Sequence, residues 1–328
     1  MFLTLKQSII ALSLATTLAL AGCGGPAANN EPATGGSTPE APATGKTFTI
    51  GMSQCNLGEP YRAQMNKDIE EAAKAHPELK IVFKDAENDA LKQRGHVEEF
   101  VQDKVDLLII SPKEAQPLTD PVAKAMDAGI PVIVIDREIL GDKYTCFIGG
   151  DNKAIGLAAG KWLASKLPNG GNIVELKGLM TSSPAQDRHA GFVEGMKGNP
   201  SKVVFEVDTK WLEPNARKEM ESALTRLPKI DAVFAHNDPG AHGAYLAAQA
   251  AKREKEMMFI GIDSLPQEGR AYVEQGILAA SFEYPTGGKD AIETALKILN
   301  KQPFEKRITL ASKFFTPENV KSGGESIK

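Results

Sequence analysis

Acidic, amide, guanidinium and aromatic side chains recur at one kind of position in this chain: directly after short apolar runs. Phe48-Thr49-Ile50-Gly51-Met52 is followed by Gln54, Asn56, Glu59, Tyr61 and Arg62. The run ending at Ile110 meets Ser111 and Lys113, and the run ending at Ile135 meets Asp136-Arg137. In the second half, Leu176 leads towards Asp187-Arg188, Phe205 towards Asp208 and Trp211, and Phe234 towards His236-Asn237-Asp238. Ile262 precedes Asp263, and Phe282 precedes Glu283-Tyr284. Carboxylates accept hydrogen bonds from hydroxyls, a guanidinium donates in a fixed fork, and an amide does both. Aromatic faces cover C–H surfaces. This set is complementary to a small polyhydroxylated ring, with Tyr61 and Trp211, one from each half, suited to its two faces.

The same residues argue against other chemistry. No P-loop, dinucleotide fingerprint or nucleophile elbow is present, so neither a nucleotide-dependent enzyme nor a hydrolase of that type is indicated. Asp136 and Asp263 form the one imaginable glycosidase pair. Their arginine and amide neighbours are expected to hold both carboxyls low, which suits acceptance better than proton donation. The histidines are scattered, and His236 and His242 are six apart, not on one helix face, so no metal is expected. A net charge of −4 offers nucleic acid no basic surface. Each residue has a plainer role open to it. Asp151, Asp187 and Asp238 suit helix caps, and Asp136-Arg137 suits a structural ion pair. Trp211 suits the core, Tyr61 an exposed helix start, and Lys113 a solvated loop.

If strand ends carry the site, the strands must be parallel. The alternation of apolar runs with helical stripes predicts that arrangement. Leu107-Leu108-Ile109-Ile110 and Val132-Ile133-Val134-Ile135 read as central strands covered on both faces. Gly129 stops the helix before Pro131, and Pro214 opens another whose stripe is Met220, Ala223, Leu224 and Leu227. Such a chain is α/β, with right-handed crossovers and helices on both faces. About ten strands exceed one compact sheet, so two Rossmann-like lobes of five or six strands each are expected. Ligand sites in such sheets lie beyond the C-terminal strand ends.

The first residues read differently. Lys6 precedes the apolar run Ile9–Leu20, which is short for a bilayer span, and Leu20-Ala21-Gly22-Cys23 closes it. Residues 1–22 are expected to be a signal peptide. Residues 23–46, rich in Gly, Pro, Ala and Thr, are expected to be a flexible linker. Cys55 and Cys146 fall on separate predicted strands, and two free, buried thiols are expected.

The chain resembles the ribose-binding branch of the type I periplasmic binding proteins from about residue 47 to its end. The resemblance is carried by VIVIDREI (132–139), FIGGDNKAIGLAAGKWL (147–163), SSPAQDRHAGF (182–192), FAHNDPGAHGA (234–244) and FIGIDS (259–264). The first 23 residues are similar to a bacterial lipoprotein signal, which implies export and lipidation of Cys23. The resemblance implies two lobes joined by a three-segment hinge, residues 47–150 plus 284–307 and residues 151–283 plus 308–328, with a sugar between them and no cofactor. It implies Asp136 and Arg137 as the first-lobe clamp, and Arg188, Asn237 and Asp263 as second-lobe contacts. Tyr61 and Trp211 match the stacking positions, and Glu283 holds the hinge position where an amide is common. Tyr61-Arg62 is similar to the galactofuranose-binding members, and Ser111 stands where ribose binders carry Asn. Gln54, Asn56, Glu59, Ser111, Lys113 and Asp187 are further contact candidates. The implied protein is a monomer that binds a monosaccharide for an ABC permease, or alternatively for a sensor's extracytoplasmic domain. A tethered hydrolase and a repressor core of the same fold are the remaining alternatives.

Overall fold

The computed structural model describes residues 46–327. The signal segment, Cys23 and all but the last residue of the linker lie outside the described residues. The elements run β1 (Phe48–Gln54), α1 (Pro60–Ala73), β2 (Leu79–Asp85), α2 (Ala90–Gln102), β3 (Leu107–Ile110), α3 (Ala115–Asp127), β4 (Val132–Ile135) and β5 (Cys146–Gly150). They continue with α4 (Asn152–Lys166), β6 (Asn172–Lys177), α5 (Ser183–Gly195), β7 (Lys202–Asp208), α6 (Glu213–Arg226), β8 (Ala232–Ala235) and α7 (Asp238–Ala250). Last come β9 (Met258–Asp263), α8 (Gly269–Glu274), β10 (Ala280–Glu283), α9 (Gly288–Leu299), β11 (Arg307–Leu310), β12 (Lys313–Phe315) and β13 (Glu325–Ser326).

Two sheets result. The first has the order β11-β5-β4-β3-β1-β2, the second β13-β12-β10-β9-β8-β6-β7. Read from β1 and from β6, both follow the doubly wound order in which the chain reverses beside the first strand, between β1 and β3 and between β6 and β8. Those reversals splay the following loops apart and open a crevice at the strand ends. The central strands β3 and β4 are buried at every residue, as their unbroken apolar runs require. Gly129 takes φ +83°, the left-handed conformation that ends α3.

The chain passes between the sheets three times: at residue 151, at residues 284–287 and at residues 311–312. The third passage lies later than the expected boundary at 307/308, because Arg307–Leu310 pairs in parallel with Phe147–Gly150 and so belongs to the first sheet. The second sheet has seven strands, and its last two run antiparallel. The chain enters that sheet directly from the crossover, with no helix in which to reverse, so β12 must run against β10. Cys55 and Cys146 are buried and free. Between their strands lie β3 and β4, a separation of about 14 Å at ordinary strand spacing, beyond disulfide reach.

Candidate functional site

The strand ends of the two sheets face each other across a cleft. It encloses about 340 Å³ of space free of atoms, part of which is continuous with solvent. Glu59, Tyr61, Arg62 and Asp136 line it from the first lobe. Arg188, Trp211, Asn237 and Asp263 line it from the second, and Tyr284 lines it from the second passage between the sheets. Pro60, Pro184 and Pro239, each near the start of a helix, complete the wall.

The first-lobe wall is built on an ion pair. Arg62, two residues into α1, donates from Nη1 to Asp136 Oδ2 and to Ser111 Oγ at 2.9 Å. Ser111 in turn donates to Asp136 Oδ2 at 3.0 Å. Burial would raise the Asp136 carboxyl, but Arg62 and Arg137 overcome it and hold the group below its ordinary range. Asp136 sits at φ +67°, a conformation rare outside glycine that turns the carboxylate off the end of β4 into the cleft. Gln54 and Asn56 stand behind this wall. Gln54 donates to Asn66 Oδ1 at 3.0 Å, and Asn56 donates to Glu59 Oε1 at 2.7 Å, fixing the loop that starts α1.

The second-lobe wall centres on Arg188 of α5. Its Nε donates to Asn152 Oδ1 at 2.9 Å, its Nη1 donates to the carbonyl of His236, and Asp263 Oδ1 lies 3.6 Å away. The guanidinium lies 5.3 Å from the Trp211 ring centre and 4.7 Å from that of Tyr284, within cation–π range of both. Asn237 caps α7 by accepting from Gly240 N, and it donates to the Trp211 carbonyl at 3.0 Å. Asp238 turns inward instead, accepting from Ser264 N at 2.7 Å and from Ser281 Oγ at 2.8 Å. Burial pushes its carboxyl up to about 6.

The Asp263 carboxyl does not follow the expectation of a low value. Burial raises it well above its ordinary range, the nearby Asp238 adds to the rise, and Arg188 at 3.6 Å offsets only part of it. Asp136 and Asp263 therefore differ in electrostatic character although both face the same cleft.

Not every expected residue reaches the cleft wall. Glu283 turns away and pairs with Arg270 at 2.6 Å; Tyr284, one residue later, takes the wall position. The Tyr284 hydroxyl donates to the Asp136 carbonyl at 3.0 Å and accepts from Asn152 Nδ2 at 3.3 Å, so it ties the two lobes together. Arg137 is not one of the lining residues, but its guanidinium reaches to 5.6 Å from the Trp211 ring centre; Nη1 donates to the Lys113 carbonyl at 2.9 Å, and Nε and Nη2 have no hydrogen-bond partner among the described residues. Ser111 braces the ion pair, and the Lys113 ammonium lies 3.4 Å from Glu114. Asp187 faces a different opening, beside Glu138 and Asp151, and Asp151 caps α4. Tyr284 and Asn152 were not among the expected contacts. The signal for Tyr284 was the alternation of a strand end, which puts neighbouring side chains on opposite sides.

Trp211 occupies its place at φ +70°, against Gly178. A Cβ on Gly178 would lie 2.3 Å from the indole Cη2. Gly178→Ala should therefore force the ring into the cleft, with a cost of about 1–3 kcal/mol from overpacking and weaker ligand binding. Urea unfolding and ligand titration of the variant check this; an unchanged midpoint with unchanged binding would show that the ring has room to retreat.

Comparison with known proteins places these features. A model of the periplasmic binding protein domain matches residues 50–303. The chain is 32% identical over 272 residues to the ribose import binding protein of Bacillus subtilis (strain 168), covering 83% of this chain and 88% of that one. It is 31% identical over 295 residues to a galactofuranose-binding protein of Escherichia coli (strain K12), covering 86% and 92%. Among solved structures, the fructose-binding periplasmic domain of a hybrid two-component system superimposes with a TM-score of 0.81 at 44% identity, over 84% of this chain and 92% of that one.

Proposed function

Since the chain belongs to the periplasmic binding protein family, we propose that it captures a monosaccharide by closing its two lobes and hands it, unaltered, to an ABC sugar permease. The observation that carries this reading is the pairing of opposed walls: Tyr61, Arg62 and Asp136 on one lobe face Arg188, Trp211, Asn237 and Asp263 on the other. A ring held by both walls makes its full set of contacts only when the lobes are together, so ligand shifts the population towards closure. The wall carries donors and acceptors in alternation between two aromatic faces, which suits hydroxyls that both donate and accept. The relatives are described as binding proteins and none as an enzyme. The ring form we favour is the furanose, since the galactofuranose-binding relative matches over 86% of this chain. The protein acts as a monomer outside the cytoplasm, held at a membrane through lipid on Cys23.

A second reading is favoured by a specific observation. The 44% identity to the domain of a hybrid two-component system exceeds that to the ribose import binding protein and to the galactofuranose-binding protein, so presentation of the sugar to a sensor kinase is the alternative to uptake. Both readings require the same ligand. A thermal-shift screen of fructose, ribose, galactose, arabinose and myo-inositol tests that common premise. A ligand at a hundredfold its Kd should stabilise the fold by about 2.7 kcal/mol. If none of these compounds moves the melting temperature, the monosaccharide reading falls. Capture of the sugar-loaded protein by reconstituted permease or by a sensor domain then separates transport from sensing.

A further inference from the structure

We propose that Glu175, His189 and Glu206 form a site for one divalent cation of the zinc class on the flank of the second lobe, apart from the cleft. Glu175 and Glu206 are register partners on the parallel strands β6 and β7, so their side chains leave the sheet on the same face. His189 comes down onto that face from α5. One ligand atom from each of the three residues lies within 4.8 Å of the other two. A tetrahedral zinc ion with bonds near 2.0–2.2 Å needs its ligand atoms about 3.4 Å apart, so Glu206 must close in and the hydrogen-bonded pair of Glu175 and His189 must open slightly, both within the reach of side-chain torsions.

The surroundings explain why a cation is wanted there. The Glu175 side chain has no solvent exposure, and among the described residues no lysine or arginine pairs with it. Its partners are two imidazoles: His189 Nδ1 at 2.8 Å from Oε1 and 3.1 Å from Oε2, and His236 Nε2 at 3.0 Å from Oε1. These hydrogen bonds support the buried carboxylate but supply no permanent counter-charge, which a metal ion would add. With a cation bound, His189 would carry its proton on Nε2, freeing the Nδ1 that now donates to Glu175; Glu175 and that Nδ1 would ligate from inside and Glu206 from the surface, where its side chain is 54% exposed. His236 would keep its hydrogen bond to Glu175 as an outer support of the sort that orients metal ligands. One imidazole and two carboxylates suit Zn²⁺ rather than a soft ion such as Cu(I), and the surface side leaves a position for water.

One group competes for the site. Lys177 Nζ lies 2.8 Å from Glu206 Oε2 and must give way when the metal enters. This supplies a test that a plain ion-pair network would fail. The full chain, stripped with chelator, is titrated with Zn²⁺ by calorimetry without sugar. One equivalent should bind. Glu206→Gln and His189→Ala should each weaken binding by roughly tenfold or more, and Lys177→Met should tighten it. Cobalt(II) should give a tetrahedral absorption band that His189→Ala abolishes. Glu206 and Lys177 lie at or near the surface, so their variants decide the matter even if His189→Ala fails to fold. The proposal is overturned if no saturable binding occurs, or if binding is indifferent to Glu206→Gln and Lys177→Met. Neither result bears on the sugar-binding reading, which uses none of the three residues.

Discussion

Replacing Asp136 with alanine is expected to destabilise the protein by about 3–5 kcal/mol, the range for stripping one partner from a buried ion pair. The side chains of Arg62 and Asp136 are only 4% and 2% exposed, so the guanidinium left behind cannot recover its lost partner from bulk water. Ser111 would lose its acceptor at the same time. A further contribution comes from the backbone, because alanine at φ +67° lacks the short polar side chain that eases the left-handed conformation. Asp136→Asn should cost less, since asparagine tolerates that conformation and keeps an acceptor for Ser111 and Arg62. Urea unfolding of the three proteins measures the order. A loss below about 1 kcal/mol for the alanine variant would mean that the pair behaves like a surface salt bridge. The acid should also matter to pH response. Its folded-state value is depressed, so its stabilisation is full above the ordinary Asp range and disappears as pH falls through the lower folded value.

The second large effect is expected in binding. Arg188→Ala should weaken sugar affinity by about 2–5 kcal/mol, or roughly thirty- to several-thousand-fold. Arg188 holds Asn152 and the His236 carbonyl, neighbours Asp263, and lies against both Trp211 and Tyr284. Removing it loosens two aromatic walls and leaves Asp263 without its nearest cation. Arg188→Lys should rescue little, because a point charge cannot reproduce a planar fork lying against two rings. Calorimetry with whichever sugar raises the melting temperature provides the measure. Affinity within about threefold of the parent, under 1 kcal/mol, would remove Arg188 from the binding wall.

Much of the architecture could be read from residue order. Val132–Ile135 is an apolar β-branched run with no helical period, and Asp136 follows it at once; both the strand and the placing of a carboxylate at its end follow from those five residues. The two lobes and the three passages between them came with the family resemblance. Other features depend on contacts that no local pattern encodes. Gln54, Asn56 and Ser111 are polar residues at strand ends, yet they serve as braces, and a polar brace looks the same in sequence as a polar contact. The choice between Glu283 and Tyr284 turned on one residue of register. Asp263 has an arginine nearby, as expected, but the depth of its burial and the presence of Asp238 emerge only when α7 is packed against β9. Glu175 and His189 are fourteen residues apart, a spacing with no meaning until α5 folds back over β6.

The return of the chain to its first sheet affects how the molecule comes into being. β11 is the outermost strand of that sheet beside β5, and α9 packs against α1, yet both are encoded after nearly all of the second lobe. A growing polypeptide cannot complete the first half until residue 310 has emerged, because its edge partner does not yet exist. Long-range closure of this kind slows folding and delays a finished native half during synthesis. The late segments act as a latch: until β11 and α9 are made the first half lacks an edge strand and a covering helix, so only the complete polypeptide can close it.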